Sequence, residues 1–163
     1  MKQKTFKNIR TVCIVALVMC FIWEVNMLCS FLSMGLASKS EGFKWMDVDA
    51  VDWATHTTTK IIYFIIYVIS TAIMIWLCEK VLRNILKGIK EGVVFPKSNV
   101  KLFYWMALAD FIYMAMYRNS HILYGEHSFY LCQDNFVTPF VILFFAMMYK
   151  VASHAVEENN LTI

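Results

Sequence analysis

Residues 79–101 read EKVLRNILKGIKEGVVFPKSNVK and form the one long basic segment between otherwise apolar runs. The segment contains two anions, Glu79 and Glu91. Its six cations are Lys80, Arg83, Lys87, Lys90, Lys97 and Lys101. A basic loop between two membrane spans is retained on the cytoplasmic side. We therefore predict that this segment joins two spans at the cytoplasmic face, and the rest of the chain can be placed relative to it.

The first part of the segment has the pattern of an amphipathic helix. Its apolar residues recur at helical spacing: Val81, Leu82, Ile85, Leu86 and Ile89. The cations that lie largely on the other faces, here called the hairpin cluster, are Lys80, Arg83, Lys87 and Lys90. Because a helix with this pattern lies on anionic headgroups, we predict an amphipathic hairpin at the membrane surface.

The composition is that of an integral membrane protein. Of the 163 residues, 60% are hydrophobic and 16% aromatic, whereas roughly 45–50% of a soluble domain is apolar. Each span needs roughly 20 apolar residues, so the chain has room for four spans and for no separate soluble module. The apolar runs place these spans at about 11–36, 61–78, 100–117 and 136–153. We predict an all-α fold, a four-helix bundle that forms a single membrane domain over 1–163.

The distribution of lysine and arginine orients the four spans. Eleven of these residues lie in the N-terminal tail, in the basic segment and at Lys150, whereas 4 lie in the two connections at the other ends of the spans. Since cytoplasmic segments carry the excess, both termini and the hairpin are predicted to be cytoplasmic. The expected partner of the basic segments is the lipid bilayer, whose headgroups account for the net charge of +3 without direct binding of nucleic acid.

Two carboxyl side chains fall inside predicted spans, Glu24 in the first and Asp110 in the third. A carboxylate facing lipid costs roughly 2.5–3.5 kcal/mol on insertion scales. Both are therefore predicted to face the bundle interior. No Lys, Arg or His lies in the middle of a predicted span to neutralise them, so at least one is predicted to be protonated, or bonded to Asn26, Ser70, Thr71 or a tyrosine. Two roles stay open for them: hydrogen bonds that fix helix packing, and the binding or passage of a cation or proton.

Side chains with zinc-compatible atoms fall on the outer side: His56, His121, His127 and Cys132. Their spacings match no ligand pair such as CxxC or HxxxH, so we predict no metal site and no cofactor. The motifs GxSxG, GxxxxGK and GxGxxG do not occur in the sequence. Without a nucleophile elbow or a phosphate-binding loop, we do not expect an enzyme.

The hairpin and the end of the chain resemble a widespread family of small bacterial four-span membrane proteins known only as a domain of unknown function. The resemblance rests on GVVFPKSNVKLFYWMAL and on the terminal VEENNLTI. The positions that carry it are Gly92, Phe95, Asn99, Glu157, Asn159, Leu161, Thr162 and Ile163. Family members usually have Ser or Thr directly after the phenylalanine, where this chain has Pro96. We therefore expect Ser98 or Asn99 to cap the helix that follows.

The resemblance implies a four-helix inner-membrane protein with no established enzymatic activity, whose gene often lies beside one for a small helix-turn-helix regulator. We therefore expect a protein of the bacterial inner membrane that binds or regulates a cytoplasmic partner, for which such a regulator is the candidate. Two alternatives stay open. One is a small transporter or ion-binding protein that uses Glu24 and Asp110, and the other is an immunity protein against a membrane-active peptide.

The last residues, 154–163, combine two acids, Glu157 and Glu158, with an apolar end. The nearest surface of opposite charge on the predicted cytoplasmic side is the hairpin cluster. Because exposed ion pairs are worth only about 0–1 kcal/mol each, we predict that this tail docks reversibly on the hairpin cluster. A frayed chain end stays open as the alternative.

Overall fold

The computed structural model describes residues 2–36, 51, 53, 54, 56–93, 95–126 and 128–161. They form four α-helices: α1 (Lys2–Leu36), α2 (Thr57–Lys90), α3 (Ser98–Arg118) and α4 (Asp134–Leu161). A 3₁₀ helix, Ser120–Tyr124, follows α3. Because these residues include no strand, the prediction of an all-α fold is confirmed for the described part of the chain.

Three of the described helices, α1, α2 and α4, are long and apolar enough to cross a membrane. At 1.5 Å per residue, α1 and α2 measure roughly 50 Å each, well beyond the roughly 30 Å of a hydrocarbon core. The predicted span 100–117 is also helical, as part of α3. It does not meet the same criterion, since Lys101, Asp110 and several tyrosines reduce its apolar character. Of the four predicted spans, three therefore lie in helices that are long and apolar enough to cross a membrane, namely α1, α2 and α4.

The helices extend beyond the predicted spans at the end that carries most of the cations. α1 begins at Lys2, α2 continues to Lys90 and α4 continues to Leu161. Lysine, arginine and glutamate are good helix formers, so nothing in the sequence ends these helices at the edge of the apolar run. The amphipathic segment that follows residue 78 is the last third of α2, so the helix of the predicted second span runs on into the hairpin. Likewise, residues 154–161 continue α4.

Close packing joins helices that are neighbours in sequence: α2 contacts α1 and α3, and α3 contacts α4. A first core cluster, near the end of α1 and the start of α2, contains Met34, Val51, Tyr63, Tyr67 and Leu123. A second core cluster, farther along α2, contains Met74, Leu77, Val81, Met106 and Ala109. The amphipathic segment contributes Val81, with Ile85 packed against it, to this second cluster. Its apolar face therefore packs against other parts of the protein.

Candidate functional site

The turn after α2 is made possible by two glycines. Gly92 has a φ of 77°, a left-handed conformation that disfavours residues with a Cβ. Gly88 is buried in α2, where an added Cβ would lie 2.4 Å from the carbonyl oxygen of Val93 and 2.9 Å from Cγ of Pro96. The amide of Val93 also donates to the carbonyl of Gly88 at 2.7 Å. The hairpin therefore folds back directly onto the backbone of α2.

Asn99 connects three helices from the first turn of α3. Its side chain is 0% exposed. Its Nδ2 donates to the carbonyl of Val81 on α2 at 3.1 Å and to the hydroxyl of Tyr149 on α4 at 3.2 Å. Its Oδ1 accepts from Nδ2 of Asn84 on α2 at 2.8 Å. Both amide protons of Asn99 thus have an acceptor, and its oxygen has a donor.

The expected cap of α3 was wrong. Neither Ser98 nor Asn99 makes a side-chain cap, and Lys97 occupies the N-cap position without a capping hydrogen bond. The backbone amide of Asn99 instead donates to the carbonyl of Pro96 at 3.0 Å. Because backbone groups close the first turn of α3, the side-chain amide of Asn99 is not needed as a cap and points inward.

Tyr149 contacts the hairpin through its ring as well as through its hydroxyl. The ring of Phe95 packs edge-on against it, with centroids 5.3 Å apart, and the ring of Phe103 lies 5.2 Å away. Edge-to-face pairs of this kind are worth about 0.5–1.5 kcal/mol beyond the area that they bury. The hairpin is therefore held on α4 by aromatic packing from Phe95 and by the Asn99 hydrogen bond.

The tail contacts the hairpin, but at a different residue from the one predicted. Glu157 on α4 forms an ion pair with Lys97 of the hairpin, and the two side chains are 48% and 53% exposed. Glu157 therefore pairs with a residue outside the predicted hairpin cluster. Asn159 and Leu161 lie in the last turn of α4, whereas Thr162 and Ile163 lie outside the described residues. We call residues 91–93 and 95–99, Tyr149 and Glu157 together the hairpin–tail unit.

The hairpin cluster lies on the outer faces of α2. Arg83 donates to Glu79 at 2.6 Å, as an i, i+4 pair. The ammonium of Lys80 lies 4.4 Å from the ring centroid of Trp76, within the range of a cation–π contact. Lys87 and Lys90 are exposed.

Cations of α1 lie beside the same end of α2. Lys4, Lys7 and Arg10 line a shallow pocket that Ile89 of α2 also lines. Two basic segments that are distant in sequence are therefore brought together at one end of the protein.

The two acids of the predicted spans differ in their surroundings. Asp110 on α3 is 4% exposed, and its Oδ2 is buried without a hydrogen-bond partner among the described residues. Glu24 and Asn26 on α1 are half-buried. The predicted hydrogen-bond partners Ser70 and Thr71 bond elsewhere, since both hydroxyls donate to the carbonyl of Tyr67. These polar side chains therefore form no hydrogen-bonded cluster in the described part of the chain.

Two of the four side chains with metal-compatible atoms, His121 and Cys132, form local hydrogen bonds. The Nε2 of His121 lies 2.9 Å from the carbonyl of Ser128. The thiol of Cys132 donates to Oδ1 of Asn135 at 3.0 Å. His56 precedes α2 in a left-handed conformation, and His127 lies outside the described residues. Among the described residues, these side chains do not form a group able to hold a metal ion.

Three residues that belong to the hairpin–tail unit or contact it were not recognised from the sequence: Asn84, Gly88 and Tyr149. Asn84 and Gly88 are four residues apart, so a polar and a small residue share one face of α2. That spacing is a signal of close approach by another segment. Tyr149 has no such signal, because it is one of several aromatic residues along α4.

Comparison with known proteins leaves the site to be interpreted from its geometry alone. No protein-family model matches the chain, and neither a curated protein nor a solved structure matches it.

Proposed function

We propose that the chain is a four-span protein of the bacterial inner membrane, with both termini and the hairpin in the cytoplasm. α1, α2 and α4 supply three sufficiently apolar helices. For α3, support comes from its two ends, since Asn99 bonds Val81 and the carbonyl of Met116 accepts from the hydroxyl of Tyr63. α3 therefore runs antiparallel along most of α2 and would cross the same layer.

The exposed surface and the charges support this placement. Large apolar side chains are exposed along α1 and α4, among them Val12, Val15, Phe140, Phe144 and Val151. An apolar surface of this extent suits contact with lipid. The basic start of α1 lies beside the basic end of α2, which favours a cytoplasmic position for that end.

We infer that the protein reversibly binds a cytoplasmic protein at the hairpin–tail unit. The observation that carries this inference is the contrast within the unit. Asn99 is fully buried and forms hydrogen bonds to two other helices. The nearby ion pair between Lys97 and Glu157, by contrast, is half exposed. Because an exposed pair is worth only about 0–1 kcal/mol, either charge can exchange its partner at little cost. A small helix-turn-helix regulator, which the sequence resemblance implies, is the candidate partner.

Site-specific photo-crosslinking in intact cells tests this function. A photoreactive residue at Glu91, which is exposed in the hairpin, should capture a single soluble protein that mass spectrometry can identify. The matched control is Gln133, which is exposed just before α4 at the opposite end and should not capture that protein. Capture should also fall when Asn99 is replaced by alanine. Normal membrane levels without capture at Glu91, or equal capture at both positions, would refute the proposal.

A second function, binding of a cation or proton within the membrane, is favoured by Asp110. Its buried Oδ2 has no partner among the described residues, and such intramembrane acids commonly mark ion or proton pathways. Added cations, or a lower pH, should then raise the melting temperature in detergent, and Asp110→Asn should abolish the effect. Glu24→Gln tests whether the half-buried carboxyl takes part. A melting temperature insensitive to cations and to pH in the unaltered protein excludes this second function.

A further inference from the structure

A groove of about 840 Å³ runs between α2 and α3, on the surface of the protein. Its walls are apolar over most of their length: Ile66, Ile69, Ile73, Trp76, Trp105, Leu108 and Ile112. The side chains at one end are cationic or can donate hydrogen bonds: Lys80, Asn84, Ser98 and Lys101. None of the described residues that line it is acidic. The groove thus has an apolar body and one cationic end.

The length of the apolar body matches one leaflet of a bilayer. Along α2, the rise from Lys80 to Ile66 is roughly 21 Å, and along α3 the rise from Lys101 to Ile112 is roughly 17 Å. One leaflet contributes about half of a hydrocarbon core of roughly 30 Å. The cationic end belongs to the same end of the helices as the hairpin. An acyl chain in the groove would therefore extend from the cytoplasmic headgroup level to about the bilayer centre.

We propose that this groove binds one anionic phospholipid of the cytoplasmic leaflet. Its phosphate lies between Lys80 and Lys101, Asn84 and Ser98 donate to its oxygens, and one acyl chain lies along the apolar walls. Basic pockets between helices at the cytoplasmic side are typical sites for anionic headgroups. The charges also disfavour a second copy of this chain as the occupant, because symmetric contact through this groove would bring the two pairs of lysines together. The proposal rests on the membrane insertion proposed above.

Fluorescence quenching by lipids with brominated acyl chains tests the site in the full-length protein reconstituted into vesicles. Trp76 and Trp105 line the groove and report its occupancy. Two mixtures are compared: brominated phosphatidylglycerol, which is anionic, in vesicles of phosphatidylcholine, and brominated phosphatidylcholine in vesicles of phosphatidylglycerol. The brominated anionic lipid should quench the two tryptophans at about a tenfold lower mole fraction, because two lysines near the surface attract its phosphate. The variant Trp76→Phe with Trp105→Phe should lose this difference, which assigns it to the groove.

Two double variants with equal charge separate the groove from the general surface potential. Lys80→Gln with Lys101→Gln should bring the ratio of the two quenching mole fractions, one for each brominated lipid, close to one. Lys87→Gln with Lys90→Gln removes the same charge from exposed positions that do not line the groove, and should leave the ratio within about twofold of the original. A selectivity that survives in the first variant, or that disappears equally in both, overturns the headgroup assignment.

The unaltered protein alone also decides the matter if a variant fails to fold. Equal quenching by the two lipids refutes the site but leaves membrane insertion intact. Quenching that is undiminished in the Trp76→Phe with Trp105→Phe variant comes from the other tryptophans. Another protein segment or a second copy then occupies the groove, and the lipid proposal is refuted. No quenching by either lipid refutes both the site and the membrane insertion on which it rests.

Discussion

Replacing Asn99 by alanine removes the hydrogen bonds that join the hairpin to α2 and α4. The substitution deletes one bond to each of Val81, Tyr149 and Asn84. Hydrogen bonds between membrane helices average about 0.6 kcal/mol in double-mutant cycles and reach about 1.7. Leaving a buried donor unpaired adds about 1–3 kcal/mol. Because the side chain of Asn84 is only half-buried and can turn towards water, we expect a total loss of about 2–4 kcal/mol.

The free energy of unfolding can be measured by titrating sodium dodecyl sulfate into protein in a mild detergent, with helix content followed by circular dichroism. Tyr149→Phe is the matched partner, since it removes one hydroxyl but keeps the ring that packs on Phe95 and Phe103. It should cost about 0.5–1.5 kcal/mol. Asn26→Ala is the control for loss of an asparagine, because Asn26 is half-buried and its side chain has no hydrogen bond among the described residues. It should change stability by less than about 0.5 kcal/mol.

The double variant decides whether the Asn99–Tyr149 bond is real. If the bond exists, the effects of Asn99→Ala and Tyr149→Phe are coupled by about 0.5 kcal/mol or more. Additive effects, or a loss for Asn99→Ala no larger than that for Asn26→Ala, would refute the assignment of Asn99 as the link between the three helices.

Three further substitutions test separate parts of the structure in the same unfolding titration. Gly88→Ala forces a Cβ to within 2.4 Å of the Val93 oxygen. It should destabilise the protein by about 1–3 kcal/mol, although alanine has the higher helix propensity. A gain in stability would contradict the close approach. Lys97→Ala should cost less than about 1 kcal/mol and should cost nothing measurable in 1 M salt, whereas a larger, salt-independent loss would contradict an exposed ion pair with Glu157. Asp110→Leu should leave stability unchanged or raise it by about 1 kcal/mol, since it replaces a buried carboxyl with one oxygen that has no hydrogen-bond partner among the described residues. A loss above about 2 kcal/mol would show that the carboxyl is satisfied.

The all-α fold could be predicted because long apolar runs and basic segments are properties of single stretches of sequence. The helix ends could not, because the end of an apolar run marks the end of a span and not the end of a helix. Lys87 and Lys90 continue α2 as readily as Leu77 does, and only the turn beginning at Glu91 ends it. The same reason explains why the predicted fourth span ended at about 153, whereas α4 continues to Leu161.

The hairpin could be singled out from the sequence, but its contacts could not be predicted. Gly92, Phe95 and Asn99 were identified by resemblance, and all three lie in the hairpin–tail unit. The partners of Asn99 could not be predicted, because Val81 is 18 residues away and Tyr149 is 50 residues away. An asparagine three residues after a proline favours the expectation of a helix cap from local sequence alone. The buried position allows three side-chain hydrogen bonds instead of one, so tertiary packing overrides the local preference.

Asn84 connects the proposed lipid site with the proposed partner site. Its amide donates to Asn99 at 2.8 Å and approaches the hydroxyl of Ser98 at 3.5 Å, and both Asn84 and Ser98 line the cationic end of the groove. A phosphate at that end would accept hydrogen bonds from the same amide and hydroxyl. Asn84 has two amide protons and could donate one to the phosphate and the other to Asn99. It could do both at once only in one orientation of its side chain. A bound phospholipid would therefore restrict Asn84, which bonds Asn99, and through Asn99 it would restrict the part of the hairpin that carries Lys97.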